Sequence, residues 1–568
     1  MAEKQKKLPL ESVNSPLYSE DLAPIPKNER TWGVLHIAAL WVGMGVCIPT
    51  YLLASYMIKT GLHWYEALII IGIANLIITV PMLLNGHSGV KYGIPFPVVG
   101  RAAFGTKGIH IPSITRGIIA CGWFGVQTWI GGLALYAIFN AITGSPAEIG
   151  LSIGKFIGFG IFWLINIFFI WRGTESIKWL EAFTAPILII MGVVLIWWGY
   201  VKADGFFIVL DQSQQLGQKT AYITQEYEGE TKYLHLNSLS NKDLSKKVDE
   251  YRIVDASENG DWKPYTEEPI AVTNDIVNVQ FRNTKISETP IESSIVTATD
   301  LASKENSFGS KIWKYLLWLT AMVGFWATMA ISIADITRFA KSQKDQIYGQ
   351  FIGLPGTMVL YSFVGIFMTC AATINFNDVL IAEDAPWDPV SLLSKFENPL
   401  VVVIAQVFML IATLSTNIAA NVIAPSNAFS NLFPKKISFK IGGLITGIIG
   451  IVIMPWWLLN EISTILTFIS GLLGPVLAIL IADYFLVRKK KLHLAELYKV
   501  KGIYAFGGSG YNKYAMISLV IGIFTALVGF WVPKLNFLYS LSWFTGFIIS
   551  FIVYYLLMKK YTQNVNLN

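Results

Sequence analysis

Leu40-Trp41-Val42-Gly43-Met44-Gly45-Val46-Cys47-Ile48-Pro49-Thr50-Tyr51 lies in the middle of the first long apolar run of the chain. A membrane-crossing helix reads as an unbroken series of helix formers. This run instead carries two glycines, a proline and a threonine at mid-depth. Pro49 cannot donate to the helix ladder and clashes with the preceding turn, and the residue before a proline is pushed out of helical geometry. Carbonyls freed in a membrane are tolerated only where protein, water or a ligand satisfies them. The stretch therefore predicts a broken first helix that lines a place where something polar binds.

The 568-residue chain supports a membrane reading: 54% of it is hydrophobic and 14% charged, with a mean hydropathy of +0.52. Soluble domains carry about 25% charged residues. The net charge of +6 is no nucleic-acid signal, because the basic residues lie in short segments between apolar runs. Cys47, Cys121 and Cys370 all fall in or beside apolar runs and imply packed thiols rather than a disulfide framework. The six histidines do not cluster with acids or cysteines, so neither an enzyme nor a structural metal site is predicted. Residues 1–33 are expected to be a cytoplasmic N-terminal segment without a cleaved leader.

Twelve apolar segments are long enough to cross a bilayer: about 34–58, 65–85, 113–141, 154–171, 178–201, 312–338, 347–373, 397–423, 439–456, 459–486, 514–532 and 537–558. Lys91, Arg101, Lys107, Arg116, Arg172, Arg338, Lys435 and the basic run after Arg488 fall on one side of this arrangement. The segment from Asn375 to Pro399, on the other side, is acidic. By the positive-inside rule both termini are cytoplasmic. The parts are then helices one to five (34–201), an outer insertion (202–311), helices six to ten (312–486), a cytoplasmic loop (487–513), helices eleven and twelve (514–558) and a cytoplasmic tail (559–568). A bacterial inner or plasma membrane is the expected location.

The insertion differs in character. Residues 203–310 hold 18 acidic and 10 basic side chains, a net of −8. Arg252-Ile253-Val254, Asn278 to Arg282 and Ser294 to Thr297 read as short strands, and Asn259-Gly260 as a turn. A small extracellular β-rich domain is expected, and a decorative insertion is the alternative.

Candidate site residues come from polar or aromatic side chains at membrane depth. Val323 to Thr328 is a second candidate break, in the span that corresponds to the first if the chain is built of two five-helix halves. Trp123 and Gln127 are four apart on one helix face. An indole offers a flat surface to a planar ring, and a carboxamide offers one acceptor and two donors. A helix–helix contact is the bland alternative, and Gly122 and Gly125 beside the pair favour the site. Ala412, Ser415 and Thr416 share a face. Two neutral hydroxyls beside freed carbonyls form a nest for a monovalent cation, expected to be Na+, because a divalent ion would want carboxylates. Asn417 and Asn421 lie one turn apart. Glu181, Asp335, Arg338 and Asp483 sit at the inner ends of spans, and Asp335 with Arg338 reads as a local ion pair.

These residues together resemble a known family. Leu40 to Tyr51, Trp123-Phe124-Gly125-Val126-Gln127, Phe325-Trp326 followed by Asp335 to Arg338, Ser415-Thr416-Asn417 with Asn421, and Gly474-Pro475 with Ile481 to Tyr484 are similar to the first nucleobase:cation symporter family. Its members include hydantoin, allantoin, cytosine, uracil and purine permeases. The resemblance covers the chain except 203–310. It implies an all-α polytopic fold of twelve transmembrane helices, a LeuT-type five-plus-five inverted repeat with two extra helices, and alternating access driven by Na+ or, in some members, protons. It implies that Trp123 and Trp326 sandwich the ring and that Gln127 and Asn421 bond its amides, with Cys47, Phe325 and Asn417 beside it. It implies that the ion is held by the carbonyls of Gly43, Val46 and Ala412 and the hydroxyls of Ser415 and Thr416.

Cys47 and Phe325 depart from a hydantoin-transporting relative, which has glutamine and glycine there. The Cys-Ile-Pro-Thr-Tyr run is most like members described as allantoin permeases. The expected function is Na+ symport of an allantoin- or hydantoin-like ureide. A proton-coupled cytosine, uracil or purine permease, and a sensor that binds its ligand through the insertion, are the alternatives. No cofactor beyond the coupling ion is expected, the partners are a small-molecule substrate and the lipid bilayer, and the sequence leaves the oligomeric state open.

Overall fold

A computed structural model of the chain describes residues 8–60, 62–145, 151–202, 205–211, 223–228, 231–236, 248–255, 260–272, 276–285, 287–297, 308–375, 389–394, 396, 398–458 and 462–565. The first apolar run forms two helices, α1 (Val34–Gly45) and α2 (Ile48–Lys59), bent by 57° at their junction. The bend falls at Val46 and Cys47, ahead of the proline. Cys47 is extended, at φ −139° and ψ 157°. Pro49 sits in the first turn of α2, where its missing N–H is not needed. It helps start the second half rather than interrupting the first.

The helices that follow are α3 (Trp64–Tyr92), α4 (Phe96–Phe104), α5 (His110–Thr143), α6 (Ile153–Arg172) and α7 (Thr174–Lys202). A seven-stranded sheet comes next. After it come α8 (Phe308–Phe325), α9 (Ala327–Ser332), α10 (Ala334–Thr337), α11 (Gln343–Asn375), α12 (Pro399–Asn421), α13 (Ile423–Leu432), α14 (Phe439–Val452), α15 (Ile462–Ile481), α16 (Lys513–Trp531) and α17 (Ser542–Val565). Local signals set several ends. Glu66 accepts the His63 N–H at 2.9 Å to start α3, and Gly93, at φ 74°, ends it in a left-handed turn.

Among the described residues, ten helices are long and apolar enough to cross a membrane, and the bent α1–α2 pair makes up to eleven. The expected ninth span, 439–456, does not reach that length. Helix α14 has 14 residues, about 21 Å of rise against roughly 30 Å of hydrocarbon. Met454, at φ 55°, and Pro455 end the run. The expected break in span six is mild. Trp326 alone leaves helical geometry, at φ −96° and ψ 2°, and α8 and α9 form one continuous candidate span.

Helix α12 packs along α5, and α1 packs against α11, α7 and α12. Helices α5 and α14 cross so closely that a Cβ on Gly125 would stand 2.3 Å from the Gly450 carbonyl oxygen. Gly122 is less constrained, with nothing nearer than 3.9 Å.

The sheet is built from β1 (Ile223–Glu228), β2 (Thr231–His235), β3 (Glu250–Asp255), β4 (Lys263–Pro264), β5 (Ile270–Val272), β6 (Ile276–Asn283) and β7 (Ser287–Thr297). Its order is β4-β3-β6-β7-β1-β2-β5, and β1 runs parallel to β7 while the other pairs are antiparallel. Leu234, Leu236, Val248, Tyr251, Val279 and Phe281 form its core. Before the sheet, residues 206–211 are still helical, and Phe206 stacks near Phe363 and Phe367 of α11. Asn259 of the expected turn, most of the acidic stretch 375–399 and the side chain of Glu181 lie outside the described residues.

The N-terminal residues run across the end of the helix bundle that carries the basic residues. Ser12 donates to the Ala495 carbonyl at 3.2 Å. Leu22, fully buried, offers its carbonyl to the Tyr498 hydroxyl at 2.7 Å. Asp21 caps the start of α14 by accepting the Phe439 N–H at 2.8 Å, and its carbonyl accepts from Arg338 at 3.0 Å. Trp32 pairs with the chain after α10.

Candidate functional site

Three elements meet where the bent first span faces α12. Within an unbroken helix the Cys47 amide would donate to the Gly43 carbonyl, but here it donates to Gly45 at 3.0 Å. The Thr416 hydroxyl takes up the freed Gly43 carbonyl at 2.8 Å and lies 3.5 Å from that of Met44. Ala412 is one turn before Thr416 and shares a buried apolar cluster with Val46. Ser415 accepts the Thr184 hydroxyl of α7 at 3.2 Å. Gly43 and Thr416 thus meet directly at the bend, Ala412 and Val46 belong to one apolar cluster, and Ser415 bonds Thr184, a residue the sequence did not point to. Every oxygen here is neutral. Among the described residues no group of three or more His, Cys, Asp or Glu is placed for a metal. Neutral hard oxygens suit a monovalent cation.

The aromatic residues gather beside this point. Trp123 meets Phe325 edge-on, with ring centroids 5.9 Å apart. Phe325 meets Trp326 at 4.9 Å. Trp326 meets Trp41 of α1 at 5.1 Å and 83°. Trp123 and Trp326 therefore reach the same place, but Phe325 stands edge-on between them where an open sandwich was expected. Trp41 is fully buried, and its role was not read from the sequence, although it lies five residues before the bend.

Gln127, one turn from Trp123 on α5, is 2% exposed, and its carbonyl oxygen has no hydrogen-bond partner among the described residues. A buried amide oxygen left unpaired costs about 1–3 kcal/mol. The indole N–H groups of Trp41 and Trp326 are also buried without partners. These unpaired groups beside flat rings make a surface suited to a planar molecule with amide edges.

The two asparagines separate in role. Asn417 donates to Asn166 of α6 at 3.0 Å, to Thr128 at 3.2 Å and to the Phe124 carbonyl at 3.3 Å. Its own oxygen accepts from Asn421 at 3.2 Å. Asn417 is thus the hub that ties α12 to α5 and α6 and orients Asn421, whereas the sequence suggested direct substrate contact. Cys47 is drawn back toward its own helix, with its sulfur 3.2 Å from the Thr50 hydroxyl.

Several charged residues fall elsewhere than expected. Asp335 and Arg338 attract each other without reaching ion-pair distance. Asp335 accepts the Phe96 N–H at 3.0 Å and the Asn427 amide at 2.9 Å, while Arg338 turns to Asp21. A close ion pair on that side joins Arg488 to Asp483 at 2.7 Å. Arg101 and Arg116 are fully buried on helices rather than in loops. Arg116 lies two turns from Trp123 on the same face of α5. It donates to the Thr328 carbonyl of α9 at 2.6 Å and to the Ala420 carbonyl of α12 at 3.2 Å, so it joins the helix after Trp326 to the helix that carries Asn421. Hydropathy cannot distinguish such a residue from an interfacial charge.

The family described as permease for cytosine/purines, uracil, thiamine, allantoin matches residues 24–225 and 292–546, leaving out the middle of the sheet. An allantoin permease of Bacillus subtilis is 32% identical over 553 residues, covering 96% of this chain and 93% of that protein. A purine-uracil permease of Arabidopsis thaliana is 33% identical over 567 residues, covering 96% of this chain and 78% of that one. The structure of MHP1, a nucleobase-cation-symport-1 family transporter in a closed conformation with bromovinylhydantoin bound, aligns with a TM-score of 0.67. It is 22% identical, and the alignment covers 96% of each chain. That likeness establishes a LeuT-like fold.

Proposed function

The chain belongs to the family of permeases for cytosine, purines, uracil, thiamine and allantoin, and on that premise we propose that it carries an allantoin- or hydantoin-like ureide inward together with Na+ by alternating access. The observation that carries the substrate reading is the buried, unpaired carbonyl of Gln127 one turn from the Trp123 indole. A ureide ring offers N–H donors to that oxygen and a flat face to the indole. Trp326 and Asn421 complete the contacts. Phe325 turns aside to admit the ring, Cys47 lines the end nearest the bend, and Asn417 acts through Asn421.

The coupling reading rests on the Thr416 hydroxyl meeting the Gly43 carbonyl freed by the bend. Na+ shared by Gly43, Val46, Ala412, Ser415 and Thr416 would tie α1 to α12. Fixing that junction also fixes the wall that carries Trp41 and Cys47, so ion and ring favour each other's binding. Such coupling is reciprocal and amounts to about 1–3 kcal/mol. The proposed topology is twelve spans, with α14 and the short helix Pro455–Leu458 together as the ninth, both termini cytoplasmic in a bacterial inner or plasma membrane, and the sheet outside.

The test is uptake of labelled allantoin into proteoliposomes with and without an inward Na+ gradient, competed by hydantoins, cytosine, uracil and purines. Na+-dependent uptake blocked by ureide rings is expected. Uptake indifferent to Na+, or blocked best by cytosine or a purine, overturns the ion or the ring assignment. One observation favours a second reading, proton coupling. Asp335 is buried and one of its oxygens has no partner among the described residues. Uptake driven by a pH gradient in Na+-free buffer would select it. Replacing residues 212–307 by a short linker is expected to leave uptake intact.

A further inference from the structure

On the outer surface of the helix bundle, α3, α15 and α17 enclose an elongated groove of about 450 Å3. Its walls include Ile77, Pro81 and Leu84 of α3, Phe485 at the end of α15, and Phe547 and Phe551 of α17. Ile77, Pro81 and Leu84 recur at helical spacing, so one face of α3 forms one wall. Continued inward, the same face reaches His87 and Lys91. The His87 ring lies 6.0 Å from that of Phe485. This stripe therefore changes from hydrocarbon to cation over about two turns, or roughly 10 Å.

A second cation joins it there. The Lys490 ammonium stands 5.2 Å over the Phe485 ring, at the end of the groove wall. Lys91 donates to the Lys490 carbonyl at 2.8 Å, and Tyr92 donates to the same oxygen at 3.0 Å. The Lys490 N–H in turn donates to the Tyr484 carbonyl at 2.7 Å. Lys490 is thereby held in place at φ 62°, a backbone conformation that side chains other than glycine rarely adopt. Both lysines are exposed. Among the described residues neither has a carboxylate within ion-pair distance, since the nearby Asp483 is taken by Arg488.

An apolar groove facing the bilayer that ends at two unneutralised ammonium groups matches a molecule with an acyl chain and a negative head. We infer that the groove and the Lys91–Lys490 pair bind an anionic phospholipid of the surrounding bilayer. Its chain lies along α3 and α17, and its phosphate sits at the two lysines. A chain alone would not need the charges, and a free phosphate would not need the groove. The site is separate from the aromatic cluster around Trp123, and the inference does not depend on the identity of the transported ring.

The test uses the purified full-length protein in detergent. Retention of phosphatidylglycerol is compared with that of phosphatidylcholine of the same chains by native mass spectrometry and by thermal protection. Near a membrane surface each lysine contributes on the order of 1 kcal/mol toward an anionic lipid, so K91Q/K490Q is expected to weaken phosphatidylglycerol binding about thirtyfold. Leu84→Trp fills the groove without touching a charge and is expected to weaken it as well. K499Q/K501Q, with the same loss of charge elsewhere, is expected to leave binding within twofold of wild type. The inference is overturned if phosphatidylcholine is held as tightly, if inorganic phosphate protects as well as the lipid, or if K91Q/K490Q and L84W both bind within twofold of wild type. Size-exclusion profiles confirm that the surface variants are folded.

Discussion

Replacing Thr416 by valine removes one oxygen and leaves a side chain of nearly the same volume. In the resting protein the lost group is the donor to the Gly43 carbonyl, 2.8 Å away. That carbonyl then stands buried at the bend without its partner, which costs about 1–3 kcal/mol. With Na+ bound, the same change removes one of the ion's oxygen ligands. If that loss is also about 1–3 kcal/mol, the Na+ concentration for half-maximal uptake rises roughly five- to 150-fold. Thr416→Ser keeps the oxygen and is expected to stay within about threefold of wild type. Uptake of labelled allantoin into proteoliposomes, measured across a Na+ series at constant ionic strength, reads this directly. Melting in Na+ against K+ separates binding from folding. Na+ at about a hundred times its Kd stabilises a protein by about 2.7 kcal/mol, and at the same Na+ concentration that difference should fall to between about 1.8 and 0.3 kcal/mol in T416V. An unchanged Na+ dependence in T416V would refute the ion assignment. An equal loss of stability in both salts would then make Thr416 a clamp between α12 and α1 and nothing more.

Two further outcomes are expected. Trp123 is only half-buried, so Trp123→Ala should weaken substrate binding tenfold or more while leaving the melting temperature nearly unchanged; equilibrium binding of labelled substrate to purified protein checks both. Asn417→Ala should lower stability as well as substrate binding, the latter through Asn421. It strands Asn166, Thr128 and Asn421, and should destabilise the protein by about 1–3 kcal/mol. A thiol-reactive dye is a suitable reporter of that unfolding, because Cys47, Cys121 and Cys370 are all buried.

The bent first span was legible because Gly43, Gly45 and Pro49 are residues that interrupt helices. The bend lies inside that stretch, at Val46 and Cys47 rather than at Pro49 itself, because a proline is harmful inside a helix and harmless in its first turn. The hydroxyls of Ser415 and Thr416 stood out as polar groups at membrane depth, and the structure sets one of them, Thr416, against the Gly43 carbonyl freed at the bend. Asn417 was assigned to substrate because spacing shows which face a side chain occupies but not what faces it. Its main partner, Asn166, lies 251 positions away. Arg101 and Arg116 resemble loop charges for the same reason. The carbonyls that accept from Arg116 belong to α9 and α12, and no local pattern predicts them. The shortness of α14 was hidden because Met454 and Pro455 are apolar and keep the hydropathy high where the helix has already ended.

The N-terminal residues that cross the bundle set an order of events during synthesis. Leu22 bonds to Tyr498 across 476 positions and Ser12 to Ala495 across 483. At roughly 5–20 residues per second, a growing chain takes about 25 to 95 seconds to supply Tyr498 after Leu22 has emerged. Through that interval the apolar Leu22 has no native site to enter, while the first helices are already being inserted. Closure of this face is therefore among the last steps of assembly. A fusion or chaperone that holds the first thirty residues would delay this closing step without hindering the insertion of the helices before it.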